Sequence, residues 1–192
     1  MRMFVAVRPP ASALSHLDEF LAVRRDAARF RWTPAEQLHL TLAFLAEVPD
    51  RSLDELVERL ERAARKRRRF DTRLHGGGAF PNAARGRVLW TGLDLDEHDR
   101  EELRRLAVGA RTAAARSGVE VDGQRFRAHV TVARLGAPRE LTSWVRLLDA
   151  YAGPRWRLAE IELVASHLRE GPRKRPRHEV VATFPIGPPG TG

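Results

Sequence analysis

The hydrophobic positions along this chain switch repeatedly between the spacing of strands and the spacing of helices. Short β-prone apolar runs predict strands, whereas leucines that recur every three or four residues predict amphipathic helices. The predicted strands are 3–7, 38–45, 70–74, 87–93, 126–135, 158–165 and 178–184. The predicted helices are one marked by Leu14, Leu17 and Leu21, a second at 52–68, a third from Asp96 to Gly118, and a short fourth at 141–148.

Two local signals place boundaries between these elements. Ser52 and Glu55 have the spacing of a capping box, which predicts that the second helix begins at Ser52. The glycine cluster 76–78 and the Pro81-Asn82 turn signal separate strands 70–74 and 87–93, which we expect to pair as a hairpin.

The order of the elements predicts an α+β fold, because the helices alternate with antiparallel hairpins and not with strict βαβ units. Strand-helix-strand patterns occur in both halves of the chain, which indicates two similar lobes. No linker separates them, so residues 1–186 are predicted to form one domain. Residues 187–192 are rich in Pro and Gly, and we expect them to be a disordered tail.

Composition and charge narrow the class of protein. Lys and Arg number 34 against 25 Asp and Glu, a net charge of +9, which favours anionic partners such as RNA or phosphorylated metabolites. The chain has no cysteine, so disulfides and thiolate catalysis are excluded. It also has no apolar run long enough to span a membrane and no signal-peptide pattern, so we expect a cytoplasmic protein without membrane contact.

Two tetrapeptides stand out, because both read His, apolar, Thr, apolar: 39–42 is His-Leu-Thr-Leu and 129–132 is His-Val-Thr-Val. In a strand, alternate side chains point to opposite faces. His39 and Thr41 should therefore share one face, with Leu40, Leu42 and Phe44 on the other. The same alternation applies to the second motif, so each strand should bury an apolar face and present an imidazole with a hydroxyl.

These four polar side chains suit the cleavage of a phosphodiester. The imidazoles of His39 and His129, with an ordinary pKa near 6.5, can accept or donate a proton at neutral pH. The hydroxyls of Thr41 and Thr131 can donate hydrogen bonds to phosphate oxygens. The carboxylate cluster that Mg²⁺ requires is missing around both motifs, so we expect a metal-independent site without a cofactor.

With these paired HxTx motifs the chain resembles the 2H phosphoesterase superfamily. Within it, the chain is most similar to the RNA 2′,3′-cyclic phosphodiesterases, also called LigT-like proteins or 2′-5′ RNA ligases. Residues 78–82, Gly-Ala-Phe-Pro-Asn, and 87–90, Arg-Val-Leu-Trp, add to the resemblance. It implies two α+β lobes related by a pseudo-twofold axis, with antiparallel sheets around a central cleft and helices on the outer faces.

The resemblance also implies an activity, the hydrolysis of RNA 2′,3′-cyclic phosphate ends to 2′-phosphomonoesters. We expect His39 to protonate the leaving 3′ oxygen and His129 to activate water, with RNA ends or small cyclic nucleotides as partners and a monomeric protein. Two alternatives stay open. One is a 2′-5′ RNA ligase or 2′-5′ phosphodiesterase acting at the same site, and the other is a non-catalytic basic RNA-binding module.

Three further residues are candidates for substrate binding. By resemblance Arg134 contacts the phosphate, although strict alternation puts it on the wrong face unless the strand bulges or ends there; the alternative is a surface ion pair. Arg127 lies two residues before His129, so in a strand it is on the same face and can reach the cleft; the alternative is a solvated arginine at the end of the strand. Phe4 lies on the first strand and is a candidate for stacking on a base, or it belongs to the core.

The remaining basic and histidine residues have ordinary interpretations. The run 65–69 is predicted to be the solvated end of a helix, with contact to an RNA backbone as the alternative. A second basic segment precedes the last strand and either flanks the cleft or is solvated; its cations are Arg173, Lys174, Arg175 and Arg177. Five histidines outside the motifs are assigned structural or surface roles: His16, His75, His98, His167 and His178.

Overall fold

A computed structural model describes residues 1–190. Its strands are β1 (Met3–Val7), β2 (Arg31–Trp32), β3 (Leu40–Leu45), β4 (Phe70–Thr72), β5 (Leu74–Phe80), β6 (Gly86–Leu93), β7 (Val130–Arg139), β8 (Trp156–Leu158), β9 (Glu160–His167) and β10 (Arg177–Pro185). Its α-helices are α1 (Ala11–Ala22), α2 (Asp50–Arg65), α3 (Glu97–Arg116) and α4 (Thr142–Asp149).

Eight antiparallel strands form the main sheet, in the order β10-β9-β1-β3-β7-β6-β5, with β2 also paired to β7. The sheet has two parts that meet between β3 and β7 at one pair of residues, Leu40 and Val130. Strands β10, β9, β1 and β3 form lobe one, whereas β7, β6, β5 and β2 form lobe two. The predicted α+β fold with two lobes and antiparallel sheets is therefore confirmed.

The helices cover the lobes and leave the opposite face of the sheet open. Helices α2 and α3 pack on each other and against lobe one, and α4 packs against β5 and β6. In β1, Met3 and Val5 belong to the main core that these helices cover, whereas Phe4 and Ala6 form a separate small cluster. Alternation along β1 thus separates a core face from a second face, and the candidate site lies on that second face.

Strands β3 and β7 share an irregularity that strict alternation does not predict. The register of β3 with β1 skips Leu42, and the register of β7 with β6 skips Val132. Each skipped residue is the fourth position of a motif, and an extra residue reverses the facing of everything beyond it. The prediction that Phe44 points away from His39 is therefore wrong, because Phe44 turns to the motif face, and Arg134 does so in β7.

The glycine cluster 76–78 does not form the predicted turn. It lies inside β5, which pairs with β6, whereas β4 pairs with β8 in a separate two-stranded sheet. The glycines provide space, since a Cβ on Gly77 would lie 2.4 Å from Cβ of Leu148 and one on Gly78 would lie 2.1 Å from the ring of Trp90. Close approach of α4 and of an aromatic ring therefore explains these glycines.

Several boundaries also differ from the sequence-based expectation. Helix α2 begins at Asp50 after Pro49, and Ser52 makes no capping hydrogen bond, so the predicted capping box is wrong. Pro49 fixes a backbone φ of −65°, which sets the start two residues earlier. By contrast, α3 begins as predicted: the Asp96 carboxylate accepts from the backbone N–H of Asp99 at 2.7 Å. Gly118, with φ +73°, follows its end.

The residue after the predicted domain boundary at 186 still forms a hydrogen bond with the domain. Ile186 is fully buried, and the N–H of Gly187 donates to the carbonyl of Ala64 at 3.0 Å. The prediction of a disordered tail falls partly on residues 191–192, which lie outside the described residues. Within residues 1–190, no helix is long and apolar enough to cross a membrane.

The close approach at Gly77 gives a stability prediction. In a Gly77→Ala variant the added methyl group meets Leu148 and the carbonyl of Val145, which belong to a packed helix and cannot move freely. We expect the free energy of unfolding, measured by urea denaturation, to fall by about 1–3 kcal/mol. A Gly123→Ala control has open space around the new methyl and should change by less than about 0.5 kcal/mol. Equal stability of the two variants would contradict this account of the glycine cluster.

Candidate active site

Both HxTx motifs line one cavity on the open face of the sheet, which we call the cleft. Its volume is about 500 Å³, enough for a nucleotide-sized ligand. His39 and Thr41 enter it from lobe one, and His129 and Thr131 enter it from lobe two. Residues 90 positions apart in the sequence therefore share one space.

The pair Leu40–Val130 explains how the motifs meet. Both residues are about 1% exposed, and they occupy the same position of their motifs. Because the strands are antiparallel, this register puts His39 beside Thr131 and His129 beside Thr41 on one face. His39 and His129 are then diagonal neighbours across the pair, a separation of roughly 7–8 Å or slightly less that a phosphate group can fill.

Each motif histidine precedes its strand by one residue, and the two are held by equivalent hydrogen bonds. Nδ1 of His39 lies 2.6 Å from the carbonyl oxygen of Gln37, and Nδ1 of His129 lies 2.7 Å from that of Arg127. A carbonyl only accepts, so Nδ1 carries the proton in both rings. Nε2 is left as the atom of each imidazole that can exchange a proton with a ligand.

An aromatic ring covers each of these histidines. Phe4 stacks on His39 with centroids 4.5 Å apart, and Phe80 meets His129 edge-on at 4.8 Å. The pKa of His39 is lowered to about 4: burial is the largest cause, the charges of His178, Arg8 and Arg134 add to it, and the hydrogen bond to the Gln37 carbonyl opposes it.

The pKa of His129 shifts in the same direction as that of His39. Burial lowers it first, the charge of Arg134 adds to the effect, and the hydrogen bond to the Arg127 carbonyl opposes it. Both imidazoles are therefore neutral at pH 7 in the free protein. An anionic ligand between them would raise both pKa values.

The charge of the cleft is strongly positive. Four arginines line it: Arg2, Arg31, Arg134 and Arg175. Among residues 1–190, none of these four has a carboxylate within salt-bridge distance. Within the same residues, no Asp or Glu lines the cavity. Arg31 and Arg134 stand directly opposite each other on β2 and β7. Like charges in that position destabilise a sheet unless an anion lies between them, so the cleft is suited to an anionic ligand.

The predicted substrate-binding residues lie in different environments. Arg134 lines the cleft and acts electrostatically on both histidines. Phe4 also lines it but is only 4% exposed, and His39 covers one face of its ring, so little of the ring is open to a base. Arg127 is not among the cleft-lining residues of the described chain; its guanidinium lies over Phe80 at 5.6 Å. Residues 121–129 do not form a strand, so the alternation of side chains between the two faces of a strand does not place Arg127 on the same face as His129.

Sequence reasoning missed several residues that line the cleft. His178 was assigned a structural or surface role, yet its ring meets His39 at 5.7 Å and Phe4 at 5.1 Å. Arg2, Arg31 and Trp32 were not singled out either. Only the basic segment before β10 carried a usable signal, because Arg175 does flank the cleft and donates to the carbonyl of Trp32 at 3.1 Å.

The donor set of the cleft also bears on metal binding. Among the described residues, no group of three His, Cys, Asp or Glu side chains is placed to hold a metal ion. Hard divalent cations prefer carboxylate oxygens, whereas this lining offers guanidinium groups, hydroxyls and imidazoles. The chemistry of these residues thus fits an anion far better than a cation.

Taken together, the two-lobed sheet and the paired His and Thr side chains, among arginines that have no carboxylate partner in the described chain, define a phosphoesterase of the two-histidine type. The family model described as LigT like phosphoesterase matches residues 6–90 and 93–173. The chain belongs to this family, and the resemblance inferred from its motifs is confirmed.

Individual relatives agree with this assignment. A Thermus thermophilus protein named RNA 2′,3′-cyclic phosphodiesterase is 31% identical over 192 residues, covering 97% of this chain and 90% of that protein. One of the same name from Aeropyrum pernix is 36% identical over 152 residues, 77% and 83% of the two chains. The crystal structure of Escherichia coli LigT complexed with 3′-AMP has a TM-score of 0.76 at 26% identity, covering 96% and 97%.

The aromatic cover over His39 gives a prediction about its pKa. Burial is the largest cause of the lowered value, so a Phe4→Ala variant, which admits water to one face of the imidazole, should raise the pKa of His39 from about 4 toward 6.5. An NMR titration of the imidazole carbon protons measures this shift. In the same spectra the pKa of His129, which is covered by Phe80, should not move, and it serves as the internal control. An unchanged pKa of His39 would show that burial by Phe4 is not the cause.

Proposed function

We propose that this protein hydrolyses 2′,3′-cyclic phosphate ends of RNA to 2′-phosphomonoesters without a metal ion. The observation that carries the proposal is the convergence of both HxTx motifs in one cleft whose lining holds four arginines and, among the described residues, no carboxylate. The names of the Thermus and Aeropyrum relatives support the same substrate class. The Escherichia coli complex with 3′-AMP supports a nucleotide-sized ligand in this fold.

The reaction needs one base and one acid on opposite sides of the phosphorus atom. We assign His129 as the base: its Nε2 takes a proton from water while the water oxygen forms a bond to phosphorus. The bond from phosphorus to the 3′ oxygen breaks at the same time, and His39 gives its Nε2 proton to that oxygen. One water is consumed, and the product is a 2′-phosphomonoester with a free 3′ hydroxyl.

The other cleft residues act on the charge of the phosphate. The hydroxyls of Thr41 and Thr131 have no hydrogen-bond partner among the described side chains, so both are free to donate to non-bridging oxygens. Arg134 lines the cleft together with both histidines, and its charge lowers the pKa of each, so we assign it to the phosphate that lies between them. Its charge balances the anion through the reaction.

Binding of the substrate also prepares the acid. In the free protein His39 is neutral at pH 7, because its pKa is lowered to about 4. A cyclic phosphate carries one negative charge, which favours the protonated imidazole and raises this pKa. The negative charge of the substrate thus favours the uptake from solvent of the proton that His39 later gives to the 3′ oxygen.

Replacing either histidine tests the proposal directly. We expect His39→Ala and His129→Ala each to lower kcat on a dinucleotide ending in a 2′,3′-cyclic phosphate by about 10²–10⁴, since each loses one proton-transfer group. Product formation is followed by chromatography, which also identifies the 2′ isomer. His98→Ala is the matched control, because His98 is exposed on α3 outside the cleft. Full activity in both motif variants would refute the proposal.

The two alternatives give different results in the same assays. A 2′-5′ phosphodiesterase or ligase would act on 2′-5′-linked oligoadenylate, or on a cyclic phosphate end together with a 5′-hydroxyl end, in preference to hydrolysing the cyclic end. A non-catalytic RNA-binding module would bind RNA in a salt-dependent way with no turnover. Monomeric state and cytoplasmic location stay predictions.

The lowered pKa values predict an unusual pH dependence. The dependence of kcat/KM on pH reports the free enzyme, in which the acid loses its proton as the pH rises through its pKa. For His39, with a pKa of about 4, kcat/KM should fall by about tenfold per pH unit as soon as the base His129 is neutral, and the pKa of His129 is itself lowered from 6.5, so the fall begins below pH 6.5. An acid with the ordinary imidazole pKa would keep kcat/KM level up to about pH 6.5. A plateau that extends to about pH 6.5 would contradict this protonation scheme.

A further inference from the structure

A second positively charged surface lies away from the cleft, in the groove between α2 and α3. This α2–α3 groove has a volume of about 380 Å³. Its floor is made of small or short side chains: Ala63, Val108, Gly109, Thr112 and Ala113. Its walls carry seven cations, and among the described residues no Asp or Glu lines it; the cations are Arg59, Arg62, Lys66, Arg67, Arg104, Arg105 and Arg116.

The acidic residues of both helices only partly balance this charge. Four carboxylates contact the groove cations: Glu55, Glu58, Glu101 and Glu102. One of them, Glu101, is shared by Arg104 and Arg105, while Lys66 and Arg116 have no carboxylate within 4.0 Å among the described residues. Exposed ion pairs are weak and do not cancel the field of a groove with surplus cations.

The shape of the groove fits an extended polyanion. A Cβ on Gly109 would lie 3.5 Å from that of Ala63, so the helices are in close contact there and the cations rise on both sides of the contact. From Arg59 to Lys66 the row along α2 spans about 10 Å, and from Arg105 to Arg116 the row along α3 spans about 16 Å. A nucleic acid strand has one phosphate every 3.4 Å or more, so this length accommodates about three or four phosphates.

The place of the groove in the fold links it to the cleft. Helices α2 and α3 lie on the core face of lobe one, whereas the cleft lies on the other face of the same sheet. The sheet and the helix layer together are on the order of 20 Å thick, so a path around the lobe edge is at least that long. An RNA whose 3′ end occupies the cleft therefore needs about six or more nucleotides before its backbone reaches the groove.

We propose that the α2–α3 groove is an RNA-backbone binding site that holds the body of a long substrate whose cyclic phosphate end occupies the cleft. The site takes any sequence, because its cations contact phosphates and its floor offers no aromatic ring for stacking. The identity of the RNA end in this inference rests on the proposed function. The existence of a backbone-binding site is argued only from the charge and shape of the groove. Short substrates end before they reach it.

The test is a Lys66→Ala/Arg116→Ala double variant of the full chain. These two side chains are exposed and contact no carboxylate in the described structure, so their removal leaves no unpaired acid. We expect a fluorescein-labelled 20-nucleotide RNA, measured by fluorescence anisotropy, to bind roughly tenfold more weakly. The slope of log K against log salt should become shallower by about 1.4, because each lost contact to a single strand is worth about 0.7.

The matched control removes two other exposed arginines that make no ion pair in the described structure, Arg87 on β6 and Arg146 on α4. An Arg87→Ala/Arg146→Ala variant has the same net charge as the groove variant, and it should retain the affinity and salt slope of the original protein. An equal loss in both variants, or no loss in the groove variant, would overturn the proposal.

Kinetics separate this proposal from the proposed function. For the groove variant, kcat/KM should fall about tenfold on a 20-nucleotide RNA ending in a 2′,3′-cyclic phosphate. On a dinucleotide with the same end it should stay within about twofold, because the dinucleotide cannot reach the groove. An equal fall on both substrates would overturn the groove as a binding site for the RNA body. If the unmodified protein cleaves neither RNA, the proposed function fails, and the anisotropy measurement still decides about the groove.

Discussion

The antiparallel pairing of β3 with β7 at Leu40 and Val130 is the constraint on which the candidate site depends. Both side chains are buried in the core, so the two strands cannot slide by one residue without exposing them. The same constraint fixes the opposite face, where His39 and Thr131, and likewise His129 and Thr41, become neighbours. The apolar half of each motif thus positions its polar half, and the hydrophobic core of the protein sets the spacing of the imidazoles.

Around this pair, the two lobes have the same local features: an equivalent hydrogen bond from each histidine, an aromatic ring over it, and a bulge in the strand that follows. Each histidine donates Nδ1–H to a carbonyl two residues upstream, and each is covered by a phenylalanine from a different strand. The strands then bulge at corresponding residues, Leu42 and Val132. Symmetry ends five residues after each histidine, where lobe one has Phe44 and lobe two has Arg134. At this position lobe one therefore offers an aromatic ring, over which the Arg2 guanidinium lies at 4.5 Å, whereas lobe two offers a cation, so the two sides of the cleft are not equivalent for a ligand.

Charge is distributed unevenly over the protein, and that distribution separates binding surfaces from ordinary surface. Many arginines far from the cleft pair with acids of their own helix or of a neighbouring strand, as Arg65 does with Glu61 and Arg157 with Asp71. In the run 65–69, Arg68 contacts Asp99, and Arg69 donates to the carbonyl of Ile186. Within the same run, Lys66 and Arg67 line the α2–α3 groove, so the run divides between structural contacts and the groove. Surplus positive charge instead remains in the cleft and in the α2–α3 groove, where counter-ions must come from a ligand.

The sequence by itself determined the α+β class, most of the strands and helices, and the four motif residues. Those features follow from local periodicity and from residue types whose chemistry does not depend on context. Tertiary structure decided which other residues reach the site. Arg31 reaches the site because β2 pairs with the distant β7, and His178 and Arg2 reach it because β9 joins β10 to β1 in the sheet. Phe44 reaches it through a bulge that alternation does not reveal. Burial, and with it the lowered pKa values of the two histidines, is likewise a property of the assembled lobes, because it depends on rings that other strands bring over each imidazole.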